Sequence, residues 1–289
     1  MDYKQFRAPE GKQIKLADLD ANFTGDFKNK KEAAEYLEKQ RERIIHLQEI
    51  LYAENTQGLV VIFQAMDAAG KDSTIKHVFT GVNPLGIQVS GFKAPSEEEL
   101  DHDYLWRAVK LLPERGKIAA FSRSYYEEVL AVRVRPEILA GQQLPGSIKN
   151  DPKIWEKRLT DIRHFEHYLS HNGFHVLKFF LLTSKEEQKK QFMERIEDPA
   201  KYWKFAASDL ADRKLWDDYM SAYEAAFAAT STDFAPWYVV PGDKRWFTRA
   251  VIGQIVADKL ESLNPAYPAV SEKQKQAIEA ARTALESEK

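Results

Sequence analysis

The chain has no cysteine among its 289 residues, which excludes disulfides, thiolate metal sites and a cysteine nucleophile. No apolar run approaches the length of a membrane span, and the start MDYKQFRAPEGKQ lacks the apolar core of a secretory leader. Neither sign of charge dominates. Against 42 lysines and arginines stand 44 aspartates and glutamates, so a partner chosen by bulk charge, such as nucleic acid, is not indicated. Internal repeats and low-complexity tracts are absent as well. These absences leave the expectation of a soluble, cytoplasmic protein that binds neither membrane nor nucleic acid. With 44% hydrophobic residues it has enough core for one large α/β domain or two small ones.

The most informative stretch is VVIFQAMDAAGKDSTIKHVF, from Val60 to Phe79. Val60 to Phe63 are β-branched or aromatic without polar alternation, the pattern of a buried parallel strand. Ala65, Ala68, Ala69 and Gly70 then carry almost no side chain, so backbone N–H groups can close around phosphate oxygens at a helix N-terminus. Lys71 adds a positive charge, and Asp72, Ser73 and Thr74 open the helix. The pattern departs from G-x-x-x-x-G-K-[ST], with Ala65 at the first glycine and Asp72 after the lysine. Asp67 would repel phosphate unless it holds a divalent cation or accepts a proton, and an Asx-turn or helix cap is the alternative.

Around this stretch, strand and helix patterns alternate. LEKQRERIIHLQEILYAE sets Leu37, Ile44, Ile45, Leu47, Ile50 and Leu51 mostly on one face of a helix. Ile87–Phe92 reads as a second strand, Ser96 and Glu99 as a capping box opening a helix through Trp106 to Leu112, and Ile118–Phe121 as a third strand. Residues 132–153, punctuated by Pro136, Gly141, Pro145, Gly146 and Pro152, read as a mobile loop or lid. A helix over Ile154–His171, a buried strand over Phe174–Leu182, helices from Ser184 to Ile196 and from Ser208 to Ala229, and a strand over Trp237–Val240 follow. A charged helix from Ser271 closes the chain. The alternation predicts a parallel sheet with helices on both faces, with its ligand at the carboxyl ends of the strands, where Asp67, Lys71, Ser122 and Arg123 converge.

Phosphoryl transfer asks for positioning and charge stabilisation, and the chain offers the parts. Lys71 would sit on the transferring phosphate, Asp67 on a metal or the acceptor, and Arg123 on equatorial oxygens. Arg133 and Arg135 would close from the lid, or edge a solvated loop. Glu127 and Glu128 could carry metal or contact the acceptor, or merely favour a helix first turn. Lys178, inside an apolar strand, must reach an acid or a phosphate. Arg195 is an anion contact or a helix C-terminal charge. His164, His167 and His171 complete no zinc motif and read as helix surface.

Taken together, FQAMDAAGKDST, FKAPSEEELDHDYLWR, FSRSYYEEVL with VRVRPE, VLKFFLLTSKEEQKKQF and WKFAASDL resemble the polyphosphate kinase type 2 family over about residues 30 to 265. The resemblance implies a thymidylate-kinase-like P-loop fold, with Mg2+ as cofactor and inorganic polyphosphate and nucleotides as substrates. It divides the chain into an N-terminal helical extension (1–57), a kinase domain (58–265) with a lid at about 131–153, and a C-terminal helix (266–289). By the same resemblance Asp67 and Lys71 take the family's loop roles and Arg123 its phosphate-binding role. Ala68, Ala69, Gly70, Asp72, Ser73 and Lys178 complete the phosphate set, with Arg133 in the lid, and Asp67 and Glu128 are the expected metal ligands. Many relatives carry aspartate where Ser122 stands, which leaves the second metal contact to Glu127 or Glu128. The pattern looks more like the subgroup that phosphorylates both nucleoside monophosphates and diphosphates, reversibly, and a homo-oligomer is expected. An ATP-dependent nucleotide kinase on the same fold and a nucleotide-binding regulatory protein without turnover are the alternatives.

Overall fold

A computed structural model describes residues 1–288. Five parallel strands, β1 (Gly58–Gln64), β2 (Ile87–Gly91), β3 (Ile118–Ser122), β4 (Phe174–Leu182) and β5 (Trp237–Pro241), form one sheet in the order β2-β3-β1-β4-β5. β1 is buried along its whole length because it lies at the centre, paired with β3 on one side and β4 on the other. Its alternate residues feed two cores. Leu59, Val61 and Phe63 face one helical layer, while Val60 and Ile62 face the other.

The first layer holds α1 (Lys30–Glu54), α2 (Lys71–Val78) and, from the far end of the chain, α12 (Arg245–Ser262). α1 starts where the Asn29 side chain accepts from the N–H groups of Lys31 and Glu32. It ends at Asn55 in the left-handed region, φ 55°. Its buried face includes Gln40 and Gln48 as well as Leu37, Ile44 and Leu51, a polar component that apolar periodicity alone does not reveal.

Five short helices follow on the other side: α3 (Glu97–Leu100), α4 (Trp106–Val109), α5 (Ala131–Val134), α6 (Pro136–Gly141) and α7 (Gly146–Lys149). The Ser96 and Glu99 capping box is present, yet the helix expected to run through Leu112 stops at Leu100. The Asp103 carboxylate accepts from the Leu105 N–H, an Asx-type bond that competes with helical continuation, and Pro113 disfavours helix at Leu112. The segment expected as an irregular lid carries α5, α6 and α7. Its prolines open helices instead of ending them, with Pro136 at the first position of α6 and Pro145 just before α7.

The second layer is completed by α8 (Ile154–His171) and α11 (Trp216–Thr230), with α9 (Lys185–Glu197) and α10 (Ala207–Lys214) leading into it. The helix expected from Ser208 to Ala229 is thus two helices, separated where Leu215 donates to the Asp212 carbonyl. Residues 1–27 run irregularly past β5, bridging at Arg7 and Tyr238. α13 (Glu272–Ser287) has no buried residue. No helix among the described residues is long and apolar enough to cross a membrane.

The strand order makes β1 the switch point. The chain leaves β1 for the β2 edge, returns through β3, and crosses over to β4, so a crevice opens at the carboxyl end of β1 beside β3.

Candidate active site

In that crevice the Ala65–Gly70 turn joins β1 to α2. Ala68 adopts φ 65° and Gly70 φ 91°, so the turn rests on left-handed backbone at two positions. A Cβ at Gly70 would also lie 3.2 Å from Arg245 Nε. Lys71, first in α2, folds back over the turn and donates from Nζ to the carbonyls of Ala65 (2.9 Å) and Met66 (3.2 Å). Burial and the nearby Arg123 guanidinium push its pKa down to about 8, against the pull of Asp67, Glu127 and Asp72.

Arg123 follows β3 directly, with φ 62° and its N–H on the Phe63 carbonyl. Its guanidinium pairs with the Asp67 carboxylate and donates to Glu127 Oε2 at 3.2 Å. Glu127 is itself fixed by Gln64 at the end of β1, 3.0 Å away. Glu127 and Asp67, working against burial, hold Arg123 firmly charged. Burial opposes ionisation of Asp67, but Lys71 and Arg123 outweigh it and keep the carboxyl below the usual range. Ser122 Oγ donates to Asp72 Oδ1 at 2.6 Å, tying β3 to α2.

These groups line a cleft of about 480 Å³. Seven cations face it, Lys71, Lys93, Arg123, Arg195, Lys201, Lys204 and Arg245, against the three acids Asp67, Asp72 and Glu194. Arg245 donates to the Ala68 carbonyl (3.1 Å) and to Gln191 Oε1 (2.6 Å), and Gln188 Nε2 holds the Asp67 carbonyl at 3.0 Å. α9 and the start of α12 therefore brace the turn from the side opposite β3.

A second cleft of about 600 Å³ lies between the 95–104 arm, the lid and α8. Arg107, 5.2 Å over the Phe92 ring, lines this cleft while Phe92 lines the first, so the two adjoin. Tyr104 stands at its wall with the Arg158 guanidinium 5.6 Å from the ring, and His102 stacks on Trp106 at 3.9 Å.

Of the residues expected from sequence, Asp67, Ala68, Gly70, Lys71, Asp72, Ser73, Ser122 and Arg123 all line the first cleft. Ala69 packs into the core beneath. Arg195, left open between two roles, lines the cleft and pairs with Asp209 at 3.2 Å. Three more of the expected residues stand outside the first cleft. Lys178 binds no phosphate, because its even position on β4 turns it into the second core, fully buried, where it pairs with Glu166 and donates to Tyr126 Oη and the Thr230 carbonyl. Glu128 is no companion ligand to Asp67. It faces the second cleft, where burial raises its pKa and it accepts from Arg158 (3.0 Å) and Gln142 (2.8 Å). Arg133 lines neither cleft. Half-buried on α5, it has no hydrogen-bond or ion-pair partner among the described residues.

Sequence reasoning passed over Lys93, Lys201, Lys204 and Arg245. Arg245 had a usable signal, since it opens a helix just after the last strand, at the same sheet end as the turn. Lys201 and Lys204 had only their place in an irregular, aromatic stretch.

As a metal-binding set, the cleft offers the hard oxygen donors of Asp67 and Asp72, the latter backed by Ser122. No group of three or more acidic or histidine side chains forms a ready-made cage among the described residues. Two hard carboxylates could hold a divalent cation only with further oxygens from substrate phosphates and water.

The model of one protein family, "Polyphosphate kinase 2", matches residues 27–268. An ADP-polyphosphate phosphotransferase of Rhodopseudomonas palustris is 48% identical over 265 residues, spanning 92% of each chain. An AMP/ADP-polyphosphate phosphotransferase of Meiothermus ruber is 44% identical over 266 residues, 92% of this chain and 95% of that one. Among solved structures, polyphosphate kinase 2 from Arthrobacter aurescens TC1 superposes with a TM-score of 0.85 at 37% identity, covering 96% of both chains.

Proposed function

The chain belongs to the polyphosphate kinase 2 family, and from that premise we propose that it moves the terminal phosphoryl group of inorganic polyphosphate onto nucleoside mono- and diphosphates, reversibly. The observation that carries this reading is the excess of cations in the first cleft. Seven positive side chains against three acids exceed what one triphosphate needs, and suit a polymer of anions.

In the forward direction a terminal phosphate oxygen of the acceptor attacks the end phosphorus of the polymer. The bridging P–O bond breaks, and the polymer leaves one unit shorter. Lys71 trades its two carbonyl partners for oxygens of the transferring group, and the turn's N–H groups face the same oxygens. Arg123 spans the acceptor and donor phosphates, with Glu127 and Gln64 fixing its plane. Asp67 and Asp72 would hold Mg2+, which supplies neutralisation of charge on the phosphates. The acceptor enters from the second cleft, where Tyr104 and His102, the latter backed by Trp106, line the wall that a base would meet. Glu128, on the turn shared with Glu127, lines the second cleft and is held there by Arg158 and Gln142. We further propose that the enzyme works in the cytoplasm, as a homo-oligomer.

The test crosses two donors, polyphosphate and ATP, with AMP, ADP, GMP and GDP in the presence of Mg2+. ADP formed from AMP and ATP formed from ADP, with polyphosphate as donor, is the expected outcome. Transfer from ATP alone would make the protein an ordinary nucleotide kinase, and binding without turnover a regulatory protein.

A further inference from the structure

At the edge of the cleft, two arginines stand without an ion-pair partner among the described residues, although Glu187 and Glu194 lie near enough to Arg245 to favour its charge. Arg245 and Arg249 are one turn apart on α12 and so share a face. Arg245 lines the cleft beside Ala68 and Ser73, and Arg249 donates from Nη2 to Ser73 Oγ at 2.9 Å. Arg249 Nε is buried without any partner. Neither guanidinium has a carboxylate within ion-pair distance among the described residues, although most of the chain's other arginines do. Beyond them lies Arg41 of α1, whose Nε donates to the His77 carbonyl at the end of α2 and whose Nη1 pairs with the more exposed Glu38. Burial, Arg245 and Arg41 all disfavour the charge on Arg249. Holding like charges this close is costly unless an anion joins them.

We propose that the far part of a polyphosphate chain leaves the cleft over Ser73 and runs along Arg245, Arg249 and Arg41, where α1, α2 and α12 meet. This rests on the reading of the cleft as a polyphosphate site. Phosphates on this path would meet the Ser73 hydroxyl and the Arg245 guanidinium at the cleft and then the Arg249 guanidinium beyond it, so the track adds affinity only for chains long enough to reach it. Chain-length preference is then set outside the cradle.

The test compares tripolyphosphate with long-chain polyphosphate as donors, at saturating ADP and Mg2+, in wild type, Arg249→Glu, Arg249→Gln and Arg249→Lys. Arg249→Glu should raise KM for the long chain about tenfold and leave KM for tripolyphosphate within about twofold. The salt dependence of the long-chain KM should weaken by about one charge equivalent. Arg249→Gln should show a smaller shift in the same direction, and carries the test if the reversal unfolds the protein. Arg249→Lys should retain most of the long-chain preference. Equal changes for both donors, or none for the long chain, would overturn the track. If wild type accepts phosphate from ATP only, the reading of the cleft fails instead. Calorimetric binding of the two polyphosphates without acceptor then decides the track alone, because a long-chain preference lost in Arg249→Glu supports it and no preference rejects it.

Discussion

Two lysines in this protein share an electrostatic signature and differ in everything else. Lys71, at the start of α2, and Lys178, in the middle of β4, are both pushed down to about 8, and burial is the main cause in each. Lys178 is sealed in the core with three partners, the Glu166 carboxylate, Tyr126 Oη and the Thr230 carbonyl, which match its three N–H donors. Glu166 in turn accepts from both Tyr125 and Tyr126 at 2.9 Å. Lys71 has only two neutral carbonyls of its own turn, both weaker acceptors than a phosphate oxygen, and it faces a cleft. A perturbed pKa therefore marks a buried amine, and what separates a site from a strut is whether its donors are already spent.

The strongest way to break this comparison is to remove each amine. Lys71→Ala should lower kcat at least about 10³-fold while the melting temperature stays within a few degrees, measured by steady-state transfer to ADP and by calorimetry. Lys178→Ala should do the reverse. It leaves Glu166 buried without its counter-charge, at a cost of about 3–5 kcal/mol in urea denaturation, while the folded fraction keeps its specific activity within a few-fold. Replacing both partners, Lys178→Met with Glu166→Leu, should regain part of that loss. A Lys178→Ala enzyme that is stable but inactive would collapse the distinction.

The two lysines also show what the sequence made legible. The β1 turn, the parallel sheet and the convergence of Asp67, Lys71 and Arg123 were readable because strand burial, small residues and the switch-point rule are local or topological facts. Lys178 was readable only as a choice between an acid and a phosphate. Deciding it required knowing that Glu166, twelve residues earlier on α8, packs over the same face of β4. The error at Glu128 has the same origin. Glu127 and Glu128 are neighbours in a 3-10 turn, where adjacent side chains diverge, one toward Arg123 and the other toward Arg158. Of the missed cations, Lys93 comes from a loop and Lys201 and Lys204 from a 3-10 turn that only the tertiary fold brings to the cleft.

A smaller effect separates stability from activity along the pH axis. The folded pKa of Lys71, about 8, lies below its ordinary 10.5, so folding disfavours the protonated amine. Between those values the unfolded chain holds more protons, and the contribution of Lys71 to stability rises as pH increases through that window. Lys178 contributes in the same direction. Phosphate binding needs the Lys71 cation, so kcat/KM for polyphosphate should fall by up to about tenfold per unit above pH 8. Lys71→Ala should keep only its low residual rate, without that descent. A wild-type profile flat through pH 9 would show that Lys71 is already committed, like Lys178, and does not gate binding.

The smallest expected effect concerns the backbone under Lys71. Lys178 sits in a regular strand, whereas Lys71 is carried by a turn whose Ala68 holds φ 65°, a left-handed conformation that costs a side-chain-bearing residue about 1–2 kcal/mol. Glycine removes that cost but restores freedom to the unfolded chain, worth about 0.5–1 kcal/mol the other way. Ala68→Gly should therefore stabilise the protein by no more than about 1.5 kcal/mol. Its value lies in the kinetics. If alanine serves to hold the turn open for phosphate, the glycine variant, freer to close, should raise KM for polyphosphate with kcat little changed. If KM holds while stability rises, the strain is incidental, and the difference between the two lysines rests on hydrogen-bond partners alone.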